Sequence, residues 1–470
     1  MEKNFNLFLG DKMNIQVTII SSLVFLASCI PGSLQRNNLF DVQNKEGSNL
    51  DNSAAVSKDK NDLTFLRFNF NGTDNENSIT QSFTVPDEGG NGSTISWTSD
   101  NAAITFSSTS AVVIQPAPLT SNITITLTAK IEKSDVSETK AFIVTLITQV
   151  PSTGDQVTFT IGAISFKMIY VPAIMTFPTG LNDSSTETVA SAFLIADTEV
   201  TYELWYAVYN WGVNGIGTAI GEGEYIFENL GDEGSNDGTP TTLHAPTLAK
   251  LEPVTYISWR DAIVFTNALT EYYNAQKGTS LKPVYYSDGS YINPIRDSSD
   301  ATCGASSIGS TDGDCDNPFI FSSTQSNKNI ANNTATGFRL PDSAEWKLAA
   351  RYKTDTGNDS ILNQVDEYYP GNYASGATGT QPTAIDAVAV SSNNFSQTQN
   401  VKSLSGNGLN LFDMSGNAME WAFNWANAVE RNIHGGSYNN IQSNVLVSTI
   451  ITFNPYLEST DLSFRLVKNP

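Results

Sequence analysis

Three textures of hydrophobic and polar positions follow one another along the chain. Lys3 and Lys12 precede an apolar run over residues 15–26, which ends in Leu26-Ala27-Ser28-Cys29. The run is shorter than the roughly 20 residues a spanning helix needs, and its layout predicts a secretory signal over 1–28. Residues 29–61 are rich in Asn, Ser, Asp and Lys, which predicts a flexible tether. From 62 to 150, short β-branched and aromatic runs recur between turn clusters, at 63–70, 79–85, 94–98, 111–114, 123–131 and 141–147. Ile123-Thr124-Ile125-Thr126-Leu127-Thr128 alternates strictly, so its apolar side chains share one face. Regular short strands without helical period predict an all-β sandwich with Trp97 in its core.

Near residue 155 the texture becomes α+β. The segment 193–201 reads as a strand running into a helix, with Leu204, Trp205 and Val208 on one helical face. Ser258 followed by Asp261 predicts a capping box, and Phe265, Leu269 and Tyr272 continue that helix's apolar side. Asp342 and Glu345 repeat the device before Trp346. Taken alone, these acids read as solvated caps, and Arg339 and Arg465 as buried arginines paired with acids.

Composition then narrows the chemistry. Lys and Arg number 25 against 48 Asp and Glu, a net charge of −23, which argues against nucleic acid as partner. Two histidines, His244 and His434, cannot build a three-His iron or zinc centre. Three cysteines exclude four-cysteine zinc and cysteine-ligated iron–sulfur sites. Cys303 and Cys315 read as a disulfide closing a loop in an exported protein, with a redox or metal-binding thiol pair as the alternative. Asp312, Asp314 and Asp316 alternate like the start of a calcium loop, but Asn317 replaces the turn glycine and Ser323 the closing Glu.

Several segments carry resemblances. The small residues before Cys29 resemble a bacterial lipobox, which implies acylation of Cys29 and lipid anchoring in the cell envelope, at the outer membrane or periplasmic face. The stretch from Ile95 through Trp97 to Asn101, with 123–130 and 139–146, resembles bacterial immunoglobulin-like domains, which implies a stalk. Residues 155–470 resemble the sulfatase-modifying factor domain of formylglycine-generating enzymes. The matching pieces are 197–202, 253–262, 337–351, 371–376, 410–421, Gly435-Gly436-Ser437-Tyr438 and 463–467. That resemblance implies an irregular α+β domain of C-type-lectin-like fold.

The family reaction oxidises a substrate cysteine to formylglycine at a Cu(I) held by two cysteines after the Gly-Gly-Ser-aromatic turn. Counting from Tyr438, Asn440 and Val445 stand at those positions, and amide or aliphatic groups do not replace thiolates on Cu(I). No copper and no catalytic residue are therefore expected. The resemblance also implies structural Ca²⁺ held by the carbonyls of Ser415, Gly416 and Ala418 and the carboxylate of Glu420. A calcium-free turn with Glu420 bonded to backbone amides is the alternative. A second calcium position falls on Asn372, Tyr373, Asn393 and Phe395. The expected ligand cleft comprises Trp421, His434, Tyr438, Asn439 and Asn440. The function expected is non-catalytic binding of a peptide, glycan, or envelope or host protein. The alternative is a sulfatase-maturation oxidoreductase or another reaction on the same scaffold.

Overall fold

The computed structural model describes residues 51–235, 240, 242–299, 316–321, 334–357, 359–364 and 366–470. The signal segment 1–28, Cys29, Cys303, Cys315, Asp312, Asp314 and Ser323 lie outside the described residues.

The first described element departs from the expected tether over its last residues, 52–61. Asn52–Asp62 is a helix, α1. Its only buried apolar residues are Ala55 and Val56, so its composition looks like linker. Tertiary bonds decide otherwise. Asp59 is buried and accepts hydrogen bonds from the Asn91 amide and side chain, at 2.8 and 2.7 Å, and from the Ser93 amide at 3.2 Å. Lys60 and Ser57 both donate to Glu138.

Beyond α1 lie two three-stranded sheets. One comprises β1 (Phe83–Thr84), β4 (Ser110–Val113) and β3 (Ile104–Ser107); the other β2 (Thr94–Ser99), β5 (Ile123–Lys133) and β6 (Val136–Leu146). The alternation in β5 puts Ile125, Leu127, Ala129 and Ile131 inward, as its sequence predicts. Trp97 is buried and its indole donates to the Pro86 carbonyl at 2.8 Å. The run 63–70 is not a strand. It makes a 3₁₀ turn, Phe65–Arg67, that delivers Phe65 and Phe68 edge-on to Phe142 and Trp97. Aromatic packing has overridden β propensity there.

The second region, mixed α+β with few helices, is held by two apolar clusters. Five strands form one sheet in the order β10 (Phe338–Arg339), β15 (Val467–Lys468), β9 (Phe193–Ala196), β8 (Ile164–Val171), β7 (Gln156–Ile161). Helix α2, Tyr202–Asn214, buries Leu204, Trp205 and Val208; the Trp205 ring stacks on Phe265 of α3, Trp259–Lys277, at 5.1 Å. The capping box of Ser258 and Asp261 forms, and Gly278 ends α3 at φ 64°, a left-handed conformation that favours glycine. Helix α4, Ser343–Arg351, starts on the Asp342–Glu345 box. Asp261 and Glu345 are buried rather than solvated, because Glu345 also receives a two-pronged bond from Arg339 at 2.7 Å. A second sheet runs β13 (Ile450–Phe453), β12 (Arg431–His434), β11 (Met419–Trp425), β14 (Leu462–Ser463), with β11 and β14 parallel.

Candidate functional site

A turn at 413–418 feeds β11 and sets the site. Asp413 and Asn417 take positive φ of 58° and 61°, and Gly416 takes 80°. A Cβ at Gly416 would lie 2.1 Å from the Val390 carbonyl oxygen, so only glycine fits this crossing. The first residues of β11 then carry Glu420 inward. Its carboxylate is fully buried, bound by Arg465 through Nη2 at 2.5 Å and Nε at 2.6 Å, and by the Trp346 indole at 2.7 Å. Arg465 is anchored in turn on the carbonyls of Ala196 and Phe412. This confirms the paired-arginine reading of Arg339 and Arg465.

Two further buried acids, absent from the expected site residues, share this pocket of charge. Glu199 reaches the Ala418 amide at 3.5 Å with one oxygen, while its Oε2 is buried with no hydrogen-bond partner. Asp413 accepts from the Lys402 amide at 2.8 Å. Burial, together with the neighbouring Asp413 and Glu420 charges, holds Glu199 well above the usual carboxylate range. Burial pushes Asp413 up to about 6. Glu199, Asp413 and Glu420 face the guanidinium of Arg465, and the other cation acting on Asp413, Lys402, is itself paired with Asp197, so full ionisation would leave negative charge uncompensated. That surplus, with an orphaned carboxylate oxygen, fits a divalent cation. Among the described residues no group of three or more acidic, His or Cys side chains is placed to hold a metal ion. Backbone carbonyls of the 415–418 turn, the hard oxygens calcium accepts, would have to supply most of the donors of any such site.

The second calcium position does not assemble in this way. The Tyr373 carbonyl accepts from Val447, while Asn393 and Phe395 belong to a turn whose amides bond to Ser391. Asn372 and Asn393 are both exposed.

The expected cleft divides. Trp421 is fully buried, with its indole directed at the Ile257 carbonyl. His434 is 1% exposed, stacked on Trp346 at 4.7 Å, and bonded through Nε2 to Ser343 Oγ at 3.1 Å. Burial and the Lys347 charge lower its pKa to about 3. Both residues are therefore core and not cleft: they point to opposite faces of the sheet, His434 beside Glu420 and Trp421 beside Ile433, and both faces are covered. Tyr438, Asn439 and Asn440 stay at the surface. Tyr438 bonds Thr460 Oγ1 at 3.3 Å, and Asn440 Oδ1 accepts from the Ser437 amide at 3.0 Å, closing the turn. Val445 is buried in a small cluster with Ala374, Ala377, Ile385, Val388 and Ala389. Two cavities lie apart from this turn, about 200 Å³ beside Asp197 and Lys402 and about 430 Å³ beside Tyr286 and Arg296.

Two sheets with few helices, a glycine-locked turn and a Glu–Arg–Trp hub define an irregular α+β domain behind an immunoglobulin-like one. Residues 156–470 match the sulfatase-modifying factor enzyme 1-like domain, and residues 56–149 match the atrophied bacterial Ig domain. The chain belongs to the sulfatase-modifying factor family. It is 31% identical over 183 residues to the "Chaperone protein LppX" of Paenibacillus barcinonensis, covering 37% of this chain and 52% of that protein. It thus spans about half the length of the curated relative it matches. Among solved structures, Treponema denticola variable protein 1 is similar at 25% identity and a TM-score of 0.45, over 67% of this chain and 99% of that one. CarF is similar at 25% identity and a TM-score of 0.43, over 64% of this chain and 98% of that one. PvdO from Pseudomonas aeruginosa gives 13% identity and a TM-score of 0.38, over 68% and 100%. No helix among the described residues is long and apolar enough to cross a membrane.

Proposed function

We propose that this protein is a lipid-anchored envelope protein whose sulfatase-modifying-factor-like domain binds a peptide, glycan or protein ligand without oxidising it. The observation that carries this reading is what stands at the two thiol positions. Asn440 spends its carboxamide oxygen on the Ser437 turn, and Val445 is buried among alanine, valine and isoleucine side chains. Neither supplies the soft sulfur that Cu(I) requires. The relative whose name is "Chaperone protein LppX" supports protein binding as the role. Anchoring rests on Cys29 and the apolar run before it.

Structural Ca²⁺ belongs to the same proposal. The Ser415, Gly416 and Ala418 carbonyls and the Glu420 carboxylate would hold it, beside the buried Glu199 oxygen that has no hydrogen-bond partner. The ion would supply positive charge that locks the turn.

The test uses a sulfatase-motif peptide bearing one cysteine, incubated with the protein, Cu(I) and oxygen. No cysteine-to-formylglycine mass change is expected, whereas titration calorimetry against peptide and glycan panels should find a ligand. Formylglycine formation would end the non-catalytic reading.

A further inference from the structure

The sheet that carries Glu420 ends on a bare edge. Strand β13 pairs with β12 on one side, Ile451 opposite Ile433 and Thr452 opposite Asn432. Among the described residues, no strand or isolated bridge pairs with its other side. A strand edge presents backbone N–H and C=O groups ready to pair, and proteins usually blunt it with Lys, Pro or a bulge. Here the edge reads Ile450-Ile451-Thr452-Phe453, with no charge, no proline and an unbroken register. Ile451 and Phe453 pack against the core cluster. Ile450 stands 48% exposed, and Tyr456 follows at 49%.

Charge selects the occupant. Glu430, just before β12, reaches over the sheet face to β13, its Oε2 accepting from Thr452 Oγ1 at 2.7 Å, and Glu458 is exposed just beyond Tyr456. The nearby cations are buried and engaged. Arg431 lies between the Trp259 and Trp425 rings at 3.8 and 3.7 Å, and Arg260 is bound twice by Asp316. A second copy of the chain would bring another −23 charge to this acidic edge and be repelled.

We infer that β13 is a strand-addition site for an extended segment of a partner polypeptide, aliphatic at alternate positions with lysine or arginine between them. Main-chain pairing gives such complexes their affinity, and alternate side chains their specificity. The inference deepens the non-catalytic binding reading and rests on it, naming the partner's chemistry and its place.

The probe is the heptapeptide Lys-Val-Lys-Val-Lys-Val-Lys, added to the full chain, beside the same peptide N-methylated on alternate backbone nitrogens. Amide hydrogen exchange at 450–453 should slow on adding the first peptide and not the second, whose charge is identical. Ile450→Lys should weaken binding about tenfold or more while leaving the melting temperature unchanged. Equal binding of both peptides, or protection that falls on 438–440 instead, overturns the edge site and leaves ligand binding standing. Protection that grows with protein concentration in the absence of peptide overturns it in favour of self-pairing.

Discussion

Glu420 and Arg465 meet with neither side chain in contact with water, so the desolvation of both charges is offset only by their mutual bonds, and the pair is costly to break. Glu420→Gln should lower unfolding free energy by about 3–5 kcal/mol in urea titration, because it strands a buried guanidinium. Arg465→Met should cost at least as much, since it leaves three buried acids with only Lys402, already paired to Asp197, as a cation nearby. His434 gives a pH signature. Its folded pKa is depressed below that of the unfolded chain, so between about pH 6.5 and about pH 3 the unfolded state binds the extra proton. The His434 contribution is therefore fully present above pH 6.5 and is lost as the solution is acidified toward pH 3. Its slope is about 1.4 kcal/mol per pH unit inside that window. His434→Gln should flatten that part of the stability curve; an unchanged slope would place the proton uptake elsewhere. The imidazole was visible in the sequence, but its burial against Trp346 depends on a contact 88 positions away in the chain (434 − 346 = 88).

At the scale of elements, what was local in the sequence was legible. Both capping boxes are written in four consecutive residues, and the alternation of β5 needs only itself. Helix α1 was hidden because its fixing group is one acid whose partners, Asn91 and Ser93, lie across the sandwich. Asp59→Ala should cost about 1–3 kcal/mol by leaving those amides unpaired, and should speed hydrogen exchange over 52–62 more than over β5. If exchange in the helix did not change, the latch would be decorative. Strand β3 went unseen because Ile104-Thr105-Phe106-Ser107 offers only Ile104 and Phe106 as large apolar residues to mark it. The candidate site divides the same way. Turn 415–420 was readable as a motif and Asp413 stands just ahead of it, whereas Glu199 joins through a contact no spacing encodes.

Across the whole molecule, the same buried charge makes the domain a candidate calcium protein. Saturating calcium should raise the melting temperature by several degrees, as binding at 100 times Kd adds about 2.7 kcal/mol. Glu199→Gln should abolish that increment, and no calcium response in the unaltered protein would dismiss the ion. Chain connectivity matters as much as charge. Strand β15, residues 467–468, lies between β9 near position 195 and β10 near 338, hydrogen-bonded to both. A polypeptide delivered amino end first cannot zip this sheet until that late segment arrives. Newly made chains thus wait, half-assembled and with apolar edges bare, for a keystone of two residues, and cleavage ahead of residue 466 should leave the domain open to proteases.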